Sequence, residues 1–324
     1  MKRRTLLAAS PALASGVIAS GAFAQGEWRP QRPINVVVPF AAGSGTDAVA
    51  RVVAQMLGAE LGTTITVDNR AGANGTIAAL AVTRSAPDGH TLFVTTNTTH
   101  AANPWLLKRM DYDPVRDFTP LSRLGNYVFW LTVGAEVSAR NLQEFLALAR
   151  ADPGRISYAS GNGTGIVAGA TIARMAGLEM LHVPYRSTPP ALTDVIAGRV
   201  SSIVIDLTPS LGHVREGRLR ALGITSGQRS ALVPDVPTLA EQGLTGFDLL
   251  SFAALFGPAG LPPHVTATIG SAMQRIGARP EYRTRMAEMG FDGMTSTPAE
   301  LGDFVVQQIS AWGEMIRGAG IEPE

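Results

Sequence analysis

Ile34-Asn35-Val36-Val37-Val38-Pro39-Phe40-Ala41-Ala42-Gly43-Ser44-Gly45-Thr46-Asp47-Ala48-Val49-Ala50-Arg51 is the stretch from which the fold is read. Ile34 to Val38 is an apolar, β-branched run and predicts a buried strand. Gly43, Ser44, Gly45 and Thr46 form a turn, and Asp47 opens an alanine- and valine-rich helix. A strand that feeds a helix through glycines leaves unpaired backbone N–H groups at the helix start, where an anion can sit. Which anion, and in which compartment, decides what the chain does.

The first residues speak to the compartment. Lys2, Arg3 and Arg4 give a positive start, and no acidic residue precedes Glu27. The apolar stretch Thr5 to Phe23 ends in Ala22-Phe23-Ala24, a small-x-small pattern that predicts cleavage after Ala24 and export to the periplasm. Its alanine, serine, glycine and proline content is too weakly hydrophobic for a lasting membrane anchor, so no stable membrane insertion is expected after cleavage. Arg3-Arg4 leaves a twin-arginine route open. Residues 1–24 carry three of the 27 basic residues and none of the 26 acidic ones, so the mature chain has a net charge of −2. The arginines are scattered, which argues against nucleic acid. With no cysteine, disulfides and thiolate metal sites are excluded.

Strands and helices alternate along the mature chain. After the opening unit come a strand over 63–67, a helix over 76–84 and a strand over 90–96, which opens into what reads as a polar tip, Asn97-Thr98-Thr99-His100. This βαβαβ order predicts a parallel sheet with its loops gathered at the strand carboxyl ends. The theme repeats from Tyr127 onward, and a second glycine loop, Ser160-Gly161-Asn162-Gly163-Thr164-Gly165, opens a helix to Ala176. Two such units predict two α/β lobes facing a cleft. The expected division is 25–124, completed by about 253–297, for the first lobe and 125–252 for the second. The C-terminal part reads as helical, with its last helix, 298–318, packed on the second lobe. Crossing segments are expected near 122–126 and 250–254.

Other chemistries have thinner support. Gly43 to Ala48 matches the G-x-G-x-x-A form of the dinucleotide fingerprint, with Asp68 where a ribose-binding acid would stand. Against it, Asp47 would repel a pyrophosphate, and an exported protein has little access to such a cofactor. Asp47 reads more simply as a helix-start residue. His90, His100, His182, His213 and His264 are dispersed, with no clustered metal ligands, so neither metal nor cofactor is expected. The nucleophile-elbow pattern is missing, and a Ser44–Asp206–His182 triad can be drawn only on paper. Tyr185 ends a strand and is expected to point into the cleft.

The opening segment from Arg32 to Asp47 resembles that of the tripartite tricarboxylate transporter substrate-binding proteins, the Bug-type family. The resemblance continues through Asp68 to Gly75, Ala86 to Leu92, Tyr112-Asp113-Pro114, Tyr158 to Thr164, His182 to Tyr185 and Val233 to Thr238, in the family's order over nearly the whole mature chain. It implies a two-lobed, Venus-flytrap (type II) periplasmic binding protein with a mainly parallel sheet in each lobe. Such a protein closes on a small carboxylic acid (a dicarboxylate, tricarboxylate, amino acid or aromatic acid) and delivers it to membrane transporter subunits. Carried onto this chain, the ligand-binding residues are Phe40, Ala42, Gly43, Ser44, Thr46 and Asp47 of the first loop, Thr96 and Asn97 of the third strand's end, and Ser160, Gly161, Asn162, Gly163 and Thr164 of the second loop. Tyr185, Arg186 and Asp206 complete the set.

Four departures from the family pattern fall on that expected cleft: Ser44 in place of glycine, Val167 in place of histidine, Arg186-Ser187 in place of Lys-Gly, and Ile205 in place of an aromatic. Three functional readings stay open at this level. They are solute capture for transport, ligand sensing for a membrane signalling protein, and an exported hydrolase using Ser44 or Ser160.

Overall fold

The computed structural model describes residues 28–324, so the expected export signal, residues 1–24, lies outside the described residues. The first half runs β1 (Ile34–Val38), α1 (Gly45–Leu61), β2 (Ile65–Asn69), α2 (Thr76–Thr83), β3 (Thr91–Thr96), α3 (Asn103–Leu106) and β4 (Phe118–Tyr127). The second runs β5 (Phe129–Gly134), α4 (Leu142–Ala151), β6 (Ser157–Ser160), α5 (Gly163–Ala176), β7 (Leu181–Pro184), α6 (Thr188–Ile196), β8 (Ser202–Asp206), α7 (Leu207–Arg215) and β9 (Leu219–Ile224). The chain then returns through β10 (Ser251–Pro258), α8 (Pro263–Ala278), α9 (Pro280–Glu288), β11 (Phe291–Gly293) and α10 (Pro298–Gly318).

Two sheets result, a six-stranded one ordered β11-β4-β10-β3-β1-β2 and a five-stranded one ordered β7-β6-β8-β5-β9. The expectation of mainly parallel sheets holds where strands alternate with helices: β1 is parallel to β2 and β3, and β6 to β7 and β8. The sheets as wholes are mixed. Strands that enter straight from the other lobe arrive without a crossover helix, and they pair antiparallel: β10 with β3 and β4, and β5 with β8 and β9. Residues 122–126 and 251–254 of the expected crossings are paired strands of the first sheet, and the chain crosses at Val128, just beyond the first, and at Leu250, where the second begins.

Local chemistry explains the ends of the first helix. Ser44 is in extended conformation and its hydroxyl accepts from the Asp47 N–H, while Gly62, in the left-handed region at φ 66°, closes the far end. Val49, Val53 and Leu57 lie on its buried face. The last helix opens with a capping box between Thr297 and Glu300. It was expected on the second lobe. Instead α10 packs chiefly on β4, α3 and the turn after β3, reaching α5 at one side. Its stripe Leu301, Val305, Trp312 and Ile316 joins the large core cluster, and Trp105 Nε1 donates to the Ile309 carbonyl at 2.8 Å.

The run read as a polar tip is a buried π-helical turn, Thr98–Ala102. Its hydroxyls and one imidazole nitrogen find partners inside the protein, while His100 Nε2 has none. Thr99 Oγ1 lies 2.5 Å from Thr95 Oγ1, and the Tyr112 hydroxyl donates to the Thr99 carbonyl at 2.8 Å. His100 stacks on Phe256 with ring centroids 4.0 Å apart, and complete burial drops its pKa to about 3, so it is a neutral part of the core.

Candidate functional site

The two crossings bring four side chains to one point. Tyr127 ends the first ladder opposite Ser251, and two residues later Phe129 begins the second opposite Asp206. With Tyr127, Phe129 and Ser251 as its floor, a cavity opens between the lobes. Phe40, Thr46 and Thr96 wall it from the first lobe, and Asn162, Thr164 and Asp206 from the second. Its volume is about 10 Å³, room for roughly one water.

The lobes meet around this cavity through polar contacts. Asn97 Nδ2 donates to Thr164 Oγ1 at 3.0 Å, and Asn97 Oδ1 also accepts from Ser251 Oγ. The Gly163 N–H donates to Thr98 Oγ1 at 3.1 Å, and at the rim the Ala41 N–H donates to Ser187 Oγ at 3.0 Å. Apart from the Asn97–Ser251 bond, which lies within the first lobe's sheet, each joins the β1 or β3 end of one lobe to a helix start of the other. Closing the cleft is thus what satisfies these groups.

Two of the helix starts face the cavity. At α1, Gly43 turns the chain at φ +82°, a conformation that favours glycine. The Asp47 carboxylate reaches back to accept from the Gly43 N–H at 3.0 Å and pairs with the Arg51 guanidinium at 2.9 Å. Burial pushes the Asp47 pKa up, but Arg51, the Gly43 N–H and Asn69 outweigh it and hold the carboxyl below the usual range. The N–H groups of Gly45 and Thr46, first in the helix, have no acceptor among the described residues. At α5, Asn162 Oδ1 accepts from the Gly165 N–H at 2.8 Å, and the Thr98 hydroxyl takes the Gly163 N–H.

Asp206 differs from every other wall residue. It is the one charged type lining the cavity, it is buried, and its Oδ2 has no hydrogen-bond partner. A Cβ added to Gly45 would lie 2.0 Å from that oxygen, so the carboxyl of one lobe is pressed against the helix start of the other. Burial lifts its pKa to about 7.

Of the residues expected from sequence, the cavity gathers Phe40, Thr46, Thr96, Asn162, Thr164 and Asp206. Asn97, Gly163 and Ser44 sit one layer behind it, in the lobe contacts and the helix cap. Ala42 and Gly43 are exposed at the rim. Gly161 packs on the start of α6, where a Cβ would come within 2.4 Å of the Thr188 nitrogen. Other expectations fail. Tyr185 turns away from the cavity and donates to Asp194 at 2.6 Å, and Arg186 is exposed. A strand ending in Pro184 without a glycine turn sends its next residues along the surface toward α6. Val167 and Ile205, expected in the cleft, are buried in the cores, one facing inward on α5 and the other on β8.

The drawn triad does not assemble. His182 stacks on Tyr158 and its Nε2 lies 2.7 Å from Ser160 Oγ, not near Ser44 or Asp206. Ser160 and His182 face a separate side cavity of about 430 Å³ bounded by the chain's last residues. Among the described residues no three His, Asp or Glu side chains gather around one point, and no helix is long and apolar enough to cross a membrane.

Sequence reasoning missed Tyr127, Phe129 and Ser251. They sit in the strands that carry the chain across, and only the pairing of those strands brings them together.

Residues 49–321 match the profile of the tripartite tricarboxylate transporter family receptor. Three solved structures are similar over nearly their full length. An R. palustris protein solved with adipate has 29% identity and a TM-score of 0.88, over 91% of this chain and 99% of that one. The periplasmic binding protein BugD has 29% identity and a TM-score of 0.87, over 91% and 100%. MatC from Rhodopseudomonas palustris, with bound malate, has 32% identity and a TM-score of 0.83, over 89% and 99%.

Proposed function

The chain belongs to the tripartite tricarboxylate transporter family of receptors, and from that premise we propose that it captures a small dicarboxylate between its lobes in the periplasm and passes it to membrane transporter subunits. One observation carries the ligand class. The α1 start brings the uncommitted N–H groups of Gly45 and Thr46 beside a cavity walled otherwise by hydroxyls, an amide, aromatic rings and the Asp206 carboxyl. An anion is held there by N–H donors and the helix dipole, with no lysine or arginine in contact. Adipate and malate in the similar structures support a solute with two carboxylates.

Mechanism follows from the contacts between lobes. With the lobes apart, the solute docks its carboxylate on α1. Rotation about Val128 and the 249–251 segment then brings Asn162, Thr164 and Asp206 over it. The closed state is favoured by the contacts it adds, those across Asn97–Thr164 and Gly163–Thr98 among them.

A thermal-shift screen of C4 to C6 dicarboxylates, amino acids and aromatic acids tests the reading, and a dicarboxylate should raise the melting temperature most. If no acid in the panel raises it, the carboxylate reading fails. Thr164→Asp places a second carboxyl in the cavity wall and should abolish binding.

A further inference from the structure

Asp206 poses a problem for the function just proposed. A carboxylate bound on the α1 start would lie beside a second carboxylate from the facing lobe, and two such groups in one dry cleft repel. Something must neutralise one of them.

The side chains around Asp206 offer no cation. From α1 come Asp47 and Arg51, which are paired with each other at 2.9 Å. β4 supplies the Tyr127 phenol, with the Tyr282 phenol of α9 behind it, and burial raises both above the ordinary tyrosine value. Neighbouring β5 presents Phe129, and β8 places Ile205 and Val204 before it. On α7 the only charged or titratable groups are His213 and Arg215, in its last turn. Arg220 on β9 is committed to the Val137 and Ala139 carbonyls. Gly45 of the facing lobe lies against it, and its missing side chain makes the room that the Asp206 carboxyl fills.

Resting on the capture of a carboxylate proposed above, we propose that the solute is bound together with one proton, carried by Asp206, whose un-ionised carboxyl donates a hydrogen bond to the bound carboxylate. The arrangement accounts for three facts at once. Asp206 Oδ2 is buried and unpartnered because its partner is the solute. The wall around it is neutral because a protonated carboxyl needs no counter-charge. A pKa lifted to about 7 by burial keeps the proton available at neutral pH. A bound anion alongside raises it further, since a negative neighbour disfavours ionisation. The balance is simple: an ionised solute and a proton from solvent enter, no bond to carbon changes, and both leave when the lobes open.

Capture therefore depends on pH with a definite sign. Below pH 7 Asp206 already carries its proton, and affinity is flat. Above it, each solute must bring a proton in, so affinity should fall about 30-fold between pH 6 and 8.5 and approach tenfold per unit. Adipate and malate, both ionised above pH 7, serve as probes in isothermal titration calorimetry. Measured at pH 8 in two buffers of different ionisation enthalpy, wild-type protein should take up close to one proton per solute. Asp206→Asn, which keeps the shape and a donor but cannot ionise, should bind without proton uptake or pH dependence. At pH 8.5 it should bind about tenfold or more tightly than wild type.

The outcomes separate the two claims. Binding without proton uptake and with affinity flat from pH 6 to 8.5 would overturn the proton-coupled reading and leave carboxylate capture standing. Proton release, or loss of binding in a folded Asp206→Asn, would also overturn it, because the bound state would then require the ionised carboxylate of Asp206 rather than its protonated form. No binding of any carboxylic acid at any pH would remove both. The wild-type measurement stands even if the variant does not fold.

Discussion

The starts of α1 and α5 are built from the same parts and do different work. Both follow a strand through glycines, and both are capped by a side chain, Ser44 in one and Asn162 in the other. At α1 the loop is tied to its own helix by Asp47 and Arg51, and the Gly45 and Thr46 N–H groups beside the cavity have no acceptor among the described residues. At α5 the first N–H is bonded to Thr98 of the opposite lobe. One start is a prepared anion holder, and the other is a latch. The difference teaches that a glycine loop before a helix does not by itself define a binding site. What the facing lobe offers decides which N–H groups remain for a solute.

Variants on either side of this contrast should move different observables. The largest effect is expected from Gly45→Ala, which a helix start accepts locally but which sets a methyl against the Asp206 carboxyl. Overpacking of this kind costs about 1–3 kcal/mol, so solute affinity should fall roughly 5- to 150-fold in calorimetry without a drop in melting temperature. Unchanged affinity would mean that the lobes do not close on this face. Asp47→Ala strips the holder of its internal tie, leaves the Gly43 N–H without an acceptor and leaves Arg51 only a long contact to Asn69. Denaturant unfolding should show a loss of about 1–3 kcal/mol at neutral pH. The Asp47 carboxyl is held below its ordinary value of 3.8, so its contribution is present above that pH and lost as pH falls further; wild type and variant should converge only there.

Smaller changes sharpen the same contrast. Ser44→Ala removes the cap of α1 and should cost about 1 kcal/mol of stability. Its hydroxyl is engaged with the Asp47 N–H, so the melting temperature rather than affinity should report the loss. A drop in affinity alone would place the Ser44 hydroxyl against the solute. On the latch side, Asn97→Ala removes the bonds to Thr164 and Ser251 and should weaken binding by about 1 kcal/mol, close to fivefold.

Local pattern carried far in this molecule. The β-branched run at Ile34, the glycine loops and the proline-led C-terminal helices each sit where hydrophobic periodicity and turn chemistry put them, because those signals act within a few residues. Phe40, Thr46, Asn162, Thr164 and Asp206 were legible through the family resemblance, which carries positions at or just after strand ends onto this chain one by one. Tyr127 and Ser251 were not, since their meeting depends on the register of β4 against β10, strands far apart in the chain. The run from Asn97 to His100 misled because its composition is that of a solvated loop. A π-helical turn lets those hydroxyls and the imidazole find partners inside the protein. Nor did the sequence show that Asp206, correctly set in the cleft, would have no partner.

A cleft that closes to the volume of about one water admits nothing while it is shut. Every solute must wait for the lobes to part, and the waiting time belongs to the protein rather than to the solute. Stopped-flow association should therefore be linear in solute at low concentration and level off at high concentration, at a ceiling set by the opening rate. Different acids should reach the same ceiling, so discrimination between them would lie in how long each is kept.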